Sequence, residues 1–494
     1  MKILVFGVGQ FYQRRKDIFQ FFLQGDELIG FVDNRAYDIP CFDGLPVYHP
    51  EQLHLIHFDS IVLASASFIE MREQLLHLGI GREKILYWGQ YQACKAPLGV
   101  RKLLPEKAER VETKGKKILV VAVEMDLGGG SLAAFYTVQA LVKMGYAVTL
   151  AVPDGDERLL QKLRHQGVII WILPGLLFYP TEEISTWEKF DLVLVNVFQN
   201  IRLAHIFSSI APTLWWIHES GDRYSKIYPS YRYMFHEHDT SSWMRDVRIA
   251  AVSQRAKEVF EAYYPGQIDT IMPIGERGPA QITIQDIRKK PKLRFAILGG
   301  LSQIKGQDIF LEAICQLPET MRQGAEFLLI GNHSTVNAFS TKIHEKAKAL
   351  PEVKMLGVLS REQLKEEFAD IDVVVCASRE ETLSMAIVEG MMYGKICITT
   401  DATGIASYIE DGINGFVVRA GDAGDLARRM EYVLQRRTDF RPMCLAARKT
   451  YEQNFSMPVF EERLEREISL TRDMWQKGGW NTQYSSKERC RDES

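Results

Sequence analysis

The sequence predicts an α/β protein of three Rossmann-like units, two large ones preceded by a small one. Three observations carry this reading. Short apolar, β-branched runs recur along the chain, each ends in a polar or glycine-bearing turn, and each turn leads into a stretch with helical spacing. At 494 residues the chain exceeds the ~250–300 residues at which single cores stop growing. The 46% hydrophobic and 25% charged content is ordinary for globular domains. A net charge of −3 gives no general drive toward nucleic acid or an anionic membrane. No apolar run approaches the ~20 residues of a membrane span. The seven cysteines are scattered, with no Cys-x-x-Cys pair. That pattern reads as reduced thiols in a cytoplasmic protein, with no metal site expected.

Residues 1–90 form the small unit. A strand at 3–6 enters the turn Gly7-Val8-Gly9, and further strands are expected at 28–32, ending at Asp33, and at 60–64. Met1 to Gly7 reads as a strand entering a turn, not as a signal peptide. The Gly-x-Gly turn and the acid ending the second strand fit a dinucleotide fingerprint, which leaves an NAD-type cofactor at residues 7–33 open. Tyr12 occupies the place of the third glycine, which favours a structural or partner-binding module instead. Such modules resemble the nucleotide-binding domains attached to sugar-modifying enzymes.

From 91 to 116 the periodicity lapses and lysine and arginine accumulate. This reads as a solvated basic linker, with a peripheral contact to an anionic membrane face as the alternative. A new series begins at 117 and extends to 285. Its first strand leads to Gly128, Gly129 and Gly130, followed by a helical stretch at 132–144. Three glycines at a strand-to-helix junction let backbone approach a ligand, and the helix start can face phosphate. More strands are expected at 147–152, 168–173, 192–197, 213–217 and 249–252. His218 ends one of these strands beside Glu219, and the aromatic stretch 221–238 reads as a loop facing an acceptor.

The third series spans 286–472. A strand at 294–298 precedes Gly299-Gly300-Leu301-Ser302-Gln303-Ile304-Lys305-Gly306. Lys305 there can offer a point charge to phosphate. Strands at 327–330 and 353–356 precede Gly331-Asn332 and Gly357-Val358. The stretch from Cys376 to Glu389 follows an apolar run at 371–375. Ser384 is the expected N-cap of a helix at 385–393, with Gly394 at its end. Strand, polar turn and helix start is where ligands bind in an open α/β sheet. Carboxylates Glu381 and Glu389 beside such an anion site suit hydroxyl groups adjoining a phosphate. Residues 421–472 read as helical and 473–494 as a polar tail.

In this order the motifs resemble those of retaining glycosyltransferases of family 4. The glycines at 128–130, Gly299 to Gly306 with Lys305, Gly331, Glu381-x7-Glu389, and Gly404 through Gly415 carry the resemblance over residues 117 to about 470. It implies the GT-B fold, two facing Rossmann-like domains, and metal-independent transfer from a nucleoside-diphosphate sugar to a hydroxyl acceptor. The acceptor would be a glycan or lipid-linked glycan in cell-surface polysaccharide or glycoconjugate assembly. By motif, Lys305 would grip the diphosphate, Glu381 the sugar hydroxyls and Glu389 the ribose. Backbone N–H groups of Leu383, Ser384 and Met385 would meet the phosphates. Asn332 and Val358 would line the base pocket, and His218 would point to the reacting sugar. The resemblance also implies a cytoplasmic location. The basic 91–116 stretch leaves peripheral contact at the inner membrane face open, and the net charge of −3 points to no partner nucleic acid. Gly300 stands where many relatives carry arginine, Thr382 where glycine often follows the first glutamate, and Ser407 where an acid is common. A catalytically silent nucleotide-sugar-binding partner of a glycan assembly complex, or another GT-B enzyme such as an epimerase, stays open.

Overall fold

A computed structural model of the chain describes residues 1–65, 67–106, 115–126, 128–221, 224–225, 234–235, 240–244, 246–333, 337–436 and 440–477. The chain divides into two compact units. One comprises 1–211 with 230–238, the other 212–229 with 239–494.

In the first unit, a six-stranded sheet runs in the order Cys41–Phe42, Leu45–Tyr48, Glu27–Val32, Lys2–Phe6, Ser60–Leu63, Ile85–Tyr87. Its strands are parallel except for the hairpin at Cys41–Phe42. The residue in place of the third fingerprint glycine, Tyr12, is 1% exposed. Its ring packs 4.9 Å from Phe19 and 5.1 Å from Phe31, so an aromatic core fills the space a glycine would leave for close helix packing. Asp33 is committed as well. Its carboxylate accepts the Val8 N–H at 3.3 Å and the Arg35 N–H and Nε at 3.0 and 3.2 Å. The acid at the fingerprint's ribose position thus braces the loop.

The same unit holds the parallel strands Leu192–Asn196, Lys117–Val121, Ala147–Val152 and Ile169–Ile172, adjacent in that order. Here the linker reading of 91–116 is corrected. Trp88–Cys94 is helical and Arg101–Leu103 is a strand, paired antiparallel with Ile170, Trp171 and Ile172. Three residues are too short a run to register as a period in sequence. Residues 107–114 lie outside the described residues. A Cβ on Gly175 would come within 2.4 Å of the Gly89 carbonyl oxygen, so backbone meets backbone where the small module joins the larger sheet.

The second unit contains the parallel strands Thr213–Ile217, Arg248–Ala251 and Thr270–Ile271. It also contains a six-stranded parallel sheet ordered Val353–Gly357, Ala325–Ile330, Leu293–Leu298, Val373–Cys376, Ile396–Thr400, Phe416–Val418. Numbered along the chain this order is 3-2-1-4-5-6, the doubly wound pattern whose direction reverses between the first and fourth strands. The strands are apolar because helices cover both faces; Val373, Val374 and Val375 are fully buried. The stretch expected to be helical resolves into Ala423–Arg436, Arg441–Asn454 and Met457–Gln476. The expected polar tail begins inside the last of these helices, and its residues 478–494 lie outside the described residues.

Candidate active site

The reversal point of the second sheet lies at the C-terminal ends of Leu293–Leu298 and Val373–Cys376, and the loops leaving these strands meet there. Gly306 has φ of 70°, and a Cβ on it would sit 1.9 Å from the Ala377 carbonyl oxygen. Only glycine tolerates that conformation and that approach together. A Cβ on Gly331, at φ 147°, would fall 2.2 Å from the Gly299 carbonyl oxygen. The short 3-10 turn Gln303–Lys305 is capped by Ser302, whose side chain accepts the Lys305 N–H. This close packing aims Lys305 at the neighbouring loop.

There the Lys305 Nζ lies 2.5 Å from Glu381 Oε1. Burial presses the ammonium toward its neutral form, but Glu381 outweighs it and the Lys305 pKa is raised. The other oxygen, Oε2, accepts from Ser378 Oγ at 2.9 Å and Cys376 Sγ at 3.4 Å. Burial raises the Cys376 pKa, so that contact is a thiol's. The Glu381 backbone is pinned too: its carbonyl accepts the Gly404 N–H at 2.8 Å. Thr382 gives its hydroxyl to the His218 carbonyl at 2.7 Å, and its own carbonyl accepts from Ser253 Oγ.

His218 therefore sits within hydrogen-bonding distance of this loop through its backbone. Both of its ring nitrogens are buried without a partner. Burial depresses the imidazole pKa to about 3, leaving a neutral ring 4.3 Å from Trp216. Most of the expected loop at 221–238 lies outside the described residues, although Gly221 gives its N–H to Glu380 Oε1 at 2.6 Å.

Ser384 is the N-cap of the helix Met385–Met392, in extended conformation, but its hydroxyl makes no cap bond. The first turn of that helix thus keeps N–H groups available to an anion. Gly394, at φ 62°, follows the helix end as expected. Glu389 faces a region that also holds Glu276. Burial pushes the Glu389 carboxyl up to about 7, opposed by the Arg361 guanidinium. Glu276 is 1% exposed and is likewise pushed up to about 7, by burial and then by Glu389. At the far side of the sheet end, Gly331 N–H reaches the Gly357 carbonyl at 2.8 Å and the Asn332 carbonyl accepts the Leu301 N–H at 3.0 Å. Val358 is 70% exposed. Nothing but the Asn332 backbone oxygen and Cβ, 3.7 and 3.8 Å away, would meet a Cβ on Gly300.

Gly128, Gly129 and Gly130 lie in the first unit. The helix starts inside the triplet, at Gly129, rather than at 132, with Gly128 as N-cap. Gly130 has no room for a side chain: its Cβ would meet Val197 Cγ1 at 2.9 Å. Val197 itself has φ of 67°, a conformation that β-branched residues rarely adopt. The neighbouring Asn196 gives Nδ2 to the Gly130 carbonyl at 2.7 Å, while its Oδ1 is buried without a partner.

No role followed from the sequence for Glu276 or Arg361, nor for Ser378 and Cys376 within the marked stretch from Cys376 to Glu389. A charged pair in the run Ile-Met-Pro-Ile-Gly-Glu-Arg-Gly just past a strand is the signal that could have marked Glu276. Among the described residues no cluster of three or more metal-ligating side chains occurs, and no helix is long and apolar enough to cross a membrane.

A sheet wound in both directions from its first strand, with a lysine, an acid and an open helix start where the direction reverses, fits the donor half expected of the GT-B class. Comparison with known proteins agrees. Residues 114–255 match the model "Glycosyl-transferase family 4" and 281–450 match "Glycosyl transferases group 1". Residues 1–86 match "C2185-like, N-terminal". HepE of Anabaena, solved with UDP and glucose, is similar in fold at a TM-score of 0.57 and 20% identity, covering 72% of this chain and 99% of that one. The sucrose-phosphate synthase of Thermosynechococcus elongatus is similar at 0.59 and 14%, covering 72% and 98%. The amylovoran biosynthesis glycosyltransferase AmsK of Erwinia amylovora is 25% identical over 189 residues, 37% of this chain and 46% of that protein. The lipopolysaccharide 1,2-N-acetylglucosaminetransferase of Salmonella typhimurium is 26% identical over 220 residues, 40% and 58%. The chain thus spans about half the length of these curated relatives. It belongs to the family-4 type of GT-B glycosyltransferases.

Proposed function

We propose that the protein transfers a sugar from a nucleoside-diphosphate donor to a hydroxyl acceptor, with retained anomeric configuration and without a metal. The single observation that carries this reading is the Lys305–Glu381 pair at 2.5 Å, at the reversal point of a doubly wound sheet and beside an open helix start. In this reading the anomeric carbon–oxygen bond to the diphosphate breaks, and a bond to the acceptor oxygen forms. The charge left on the diphosphate falls to Lys305 and the N–H groups of Leu383, Ser384 and Met385. Glu381 takes donor sugar hydroxyls, Glu389 the ribose, and Asn332 and Val358 the base. Gly128, Gly129 and Gly130 let backbone approach a ligand at the helix start in the first unit. His218, held neutral, offers a hydrogen bond rather than a charge near the reacting sugar. No residue is assigned as a covalent nucleophile, so the acceptor attacks on the donor's own face.

The names of the similar proteins favour a glycan acceptor in polysaccharide or lipopolysaccharide assembly. A peripheral contact of the basic 91–116 region with an anionic membrane belongs to the same reading. Incubation with labelled nucleotide-sugars and glycan acceptors tests it: free nucleotide together with an extended acceptor is expected. A second reading, a silent nucleotide-sugar-binding partner, is favoured by Gly300, which removes a cation many relatives have. Donor binding without turnover across the acceptor panel would establish that one instead.

A further inference from the structure

Glu276 lies on the segment that follows the strand Thr270–Ile271, and that segment is tied to the helix carrying Glu389. The Arg448 guanidinium bonds both the Met392 carbonyl and the Pro279 carbonyl. The Tyr451 hydroxyl donates to the Glu276 carbonyl at 2.8 Å. A Cβ on Gly278 would lie 2.6 Å from Met392 Cγ and 2.7 Å from that hydroxyl. From another element, the start of the helix Arg361–Asp370, the Arg361 Nη1 donates to Glu276 Oε1 at 3.0 Å. One end of this pair is buried and the other open: the Glu276 side chain is 2% exposed and that of Arg361 is 59%. A buried carboxylate here is costly unless something uses it.

We propose that Glu276 is a positioning residue for the nucleoside end of the donor, holding Arg361 in place and sharing one buried acidic site with Glu389. The inference rests on the donor reading above, in which ribose hydroxyls donate to Glu389. Two carboxyls in one enclosed site resist ionising together, and the guanidinium supplies the compensating cation. The groups facing them are Arg277 and Arg361, both cationic, and the phenols of Tyr393 and Tyr451. Because both acids are held near 7, nucleotide binding should gain strength as pH rises through that region and Glu389 becomes a full acceptor.

The test is titration calorimetry of UDP, GDP, ADP and dTDP on the full chain between about pH 5.5 and about pH 8.5, a range that brackets both acids. Three proteins are compared: the unsubstituted chain, Glu276→Gln and Arg361→Met. With Arg361 released from its pair with Glu276 and left to Glu389, whose raised carboxyl it already opposes, Glu276→Gln should move the midpoint of the affinity–pH curve down by about one pH unit. Arg361→Met, which removes the cation at a side chain 59% exposed, should move it up. A purely structural Glu276 would lower the unfolding temperature and leave the midpoint where it was. Unshifted midpoints in both variants, with binding retained, overturn the inference while the donor reading stands. Absence of binding by the unsubstituted chain to all four nucleotides overturns the donor reading and this inference with it.

Discussion

The Lys305 ammonium and the Glu381 carboxylate face each other at 2.5 Å, across two loops that cannot separate without displacing Gly306 from the Ala377 carbonyl. The Lys305 pKa is raised, and the two opposite charges satisfy one another at this site. A diphosphate entering it would compete with Glu381 for Lys305, and the released carboxylate would turn to donor hydroxyls. In the proposed donor reading the pair would thereby convert phosphate arrival into sugar positioning.

Glu381→Ala should reduce kcat/KM by roughly 10²–10³-fold, the scale seen when one electrostatic partner of a transition state is removed. Folding should survive, because the backbone bond from the Gly404 N–H to the carbonyl of residue 381 does not depend on the side chain. Steady-state assays with circular dichroism as the control check both statements, and near-normal turnover would remove Glu381 from the mechanism.

Gly306→Ala tests the loop packing itself. The left-handed backbone alone costs a non-glycine residue about 1–2 kcal/mol, and the 1.9 Å approach to the Ala377 carbonyl oxygen adds to it. Thermal unfolding should shift down by several degrees. Gly300→Ala, where a Cβ meets nothing closer than 3.7 Å, should leave the melting temperature almost unchanged.

His218 should stay neutral throughout the physiological range, since burial holds its pKa near 3. The sign follows from linkage. In the unfolded chain the imidazole takes up a proton below about 6.5 and the folded one does not, so this group favours unfolding as pH falls through that value. Its ring-proton NMR shifts should be constant from about pH 8 to about pH 5. A titrating His218 would assign it an acid–base part instead.

Glu389 and Glu276 act in the opposite sense on stability. Both carboxyls have raised folded values, near 7, so their contribution is fully present below the unfolded value near 4.5 and is lost as pH rises through about 7. Glu389→Gln should therefore melt higher than the unsubstituted chain at about pH 8, with the difference shrinking toward about pH 5. Calorimetric scans at the two pH values decide it; a constant difference would mean that burial does not control this acid.

How much was visible in the sequence depends on how local the cause is. Strands such as 3–6 and 192–197, and turns such as Gly299 to Gly306, announce themselves through runs of β-branched residues and glycines, and the structure places strands at Lys2–Phe6 and Leu192–Asn196. The Lys305 and Glu381 loops could be read as candidates because strand-end position is a local property. Their contact across 76 residues could not. Glu276 escaped notice because its importance comes from Arg361 and Glu389, both distant in sequence. Arg101–Leu103 was hidden by brevity, and the bonds that Val8 and Arg35 give to Asp33 were hidden because they depend on how the loop folds.

That short antiparallel strand carries a practical consequence for anyone trimming the chain. Residues 101–103 cover the outer rim of Ile169–Ile172, a run of Ile-Ile-Trp-Ile whose backbone groups would otherwise lie bare. A shortened version starting at 117 would inherit an adhesive border and is expected to self-associate during purification. One starting at about 98 would keep its seam closed.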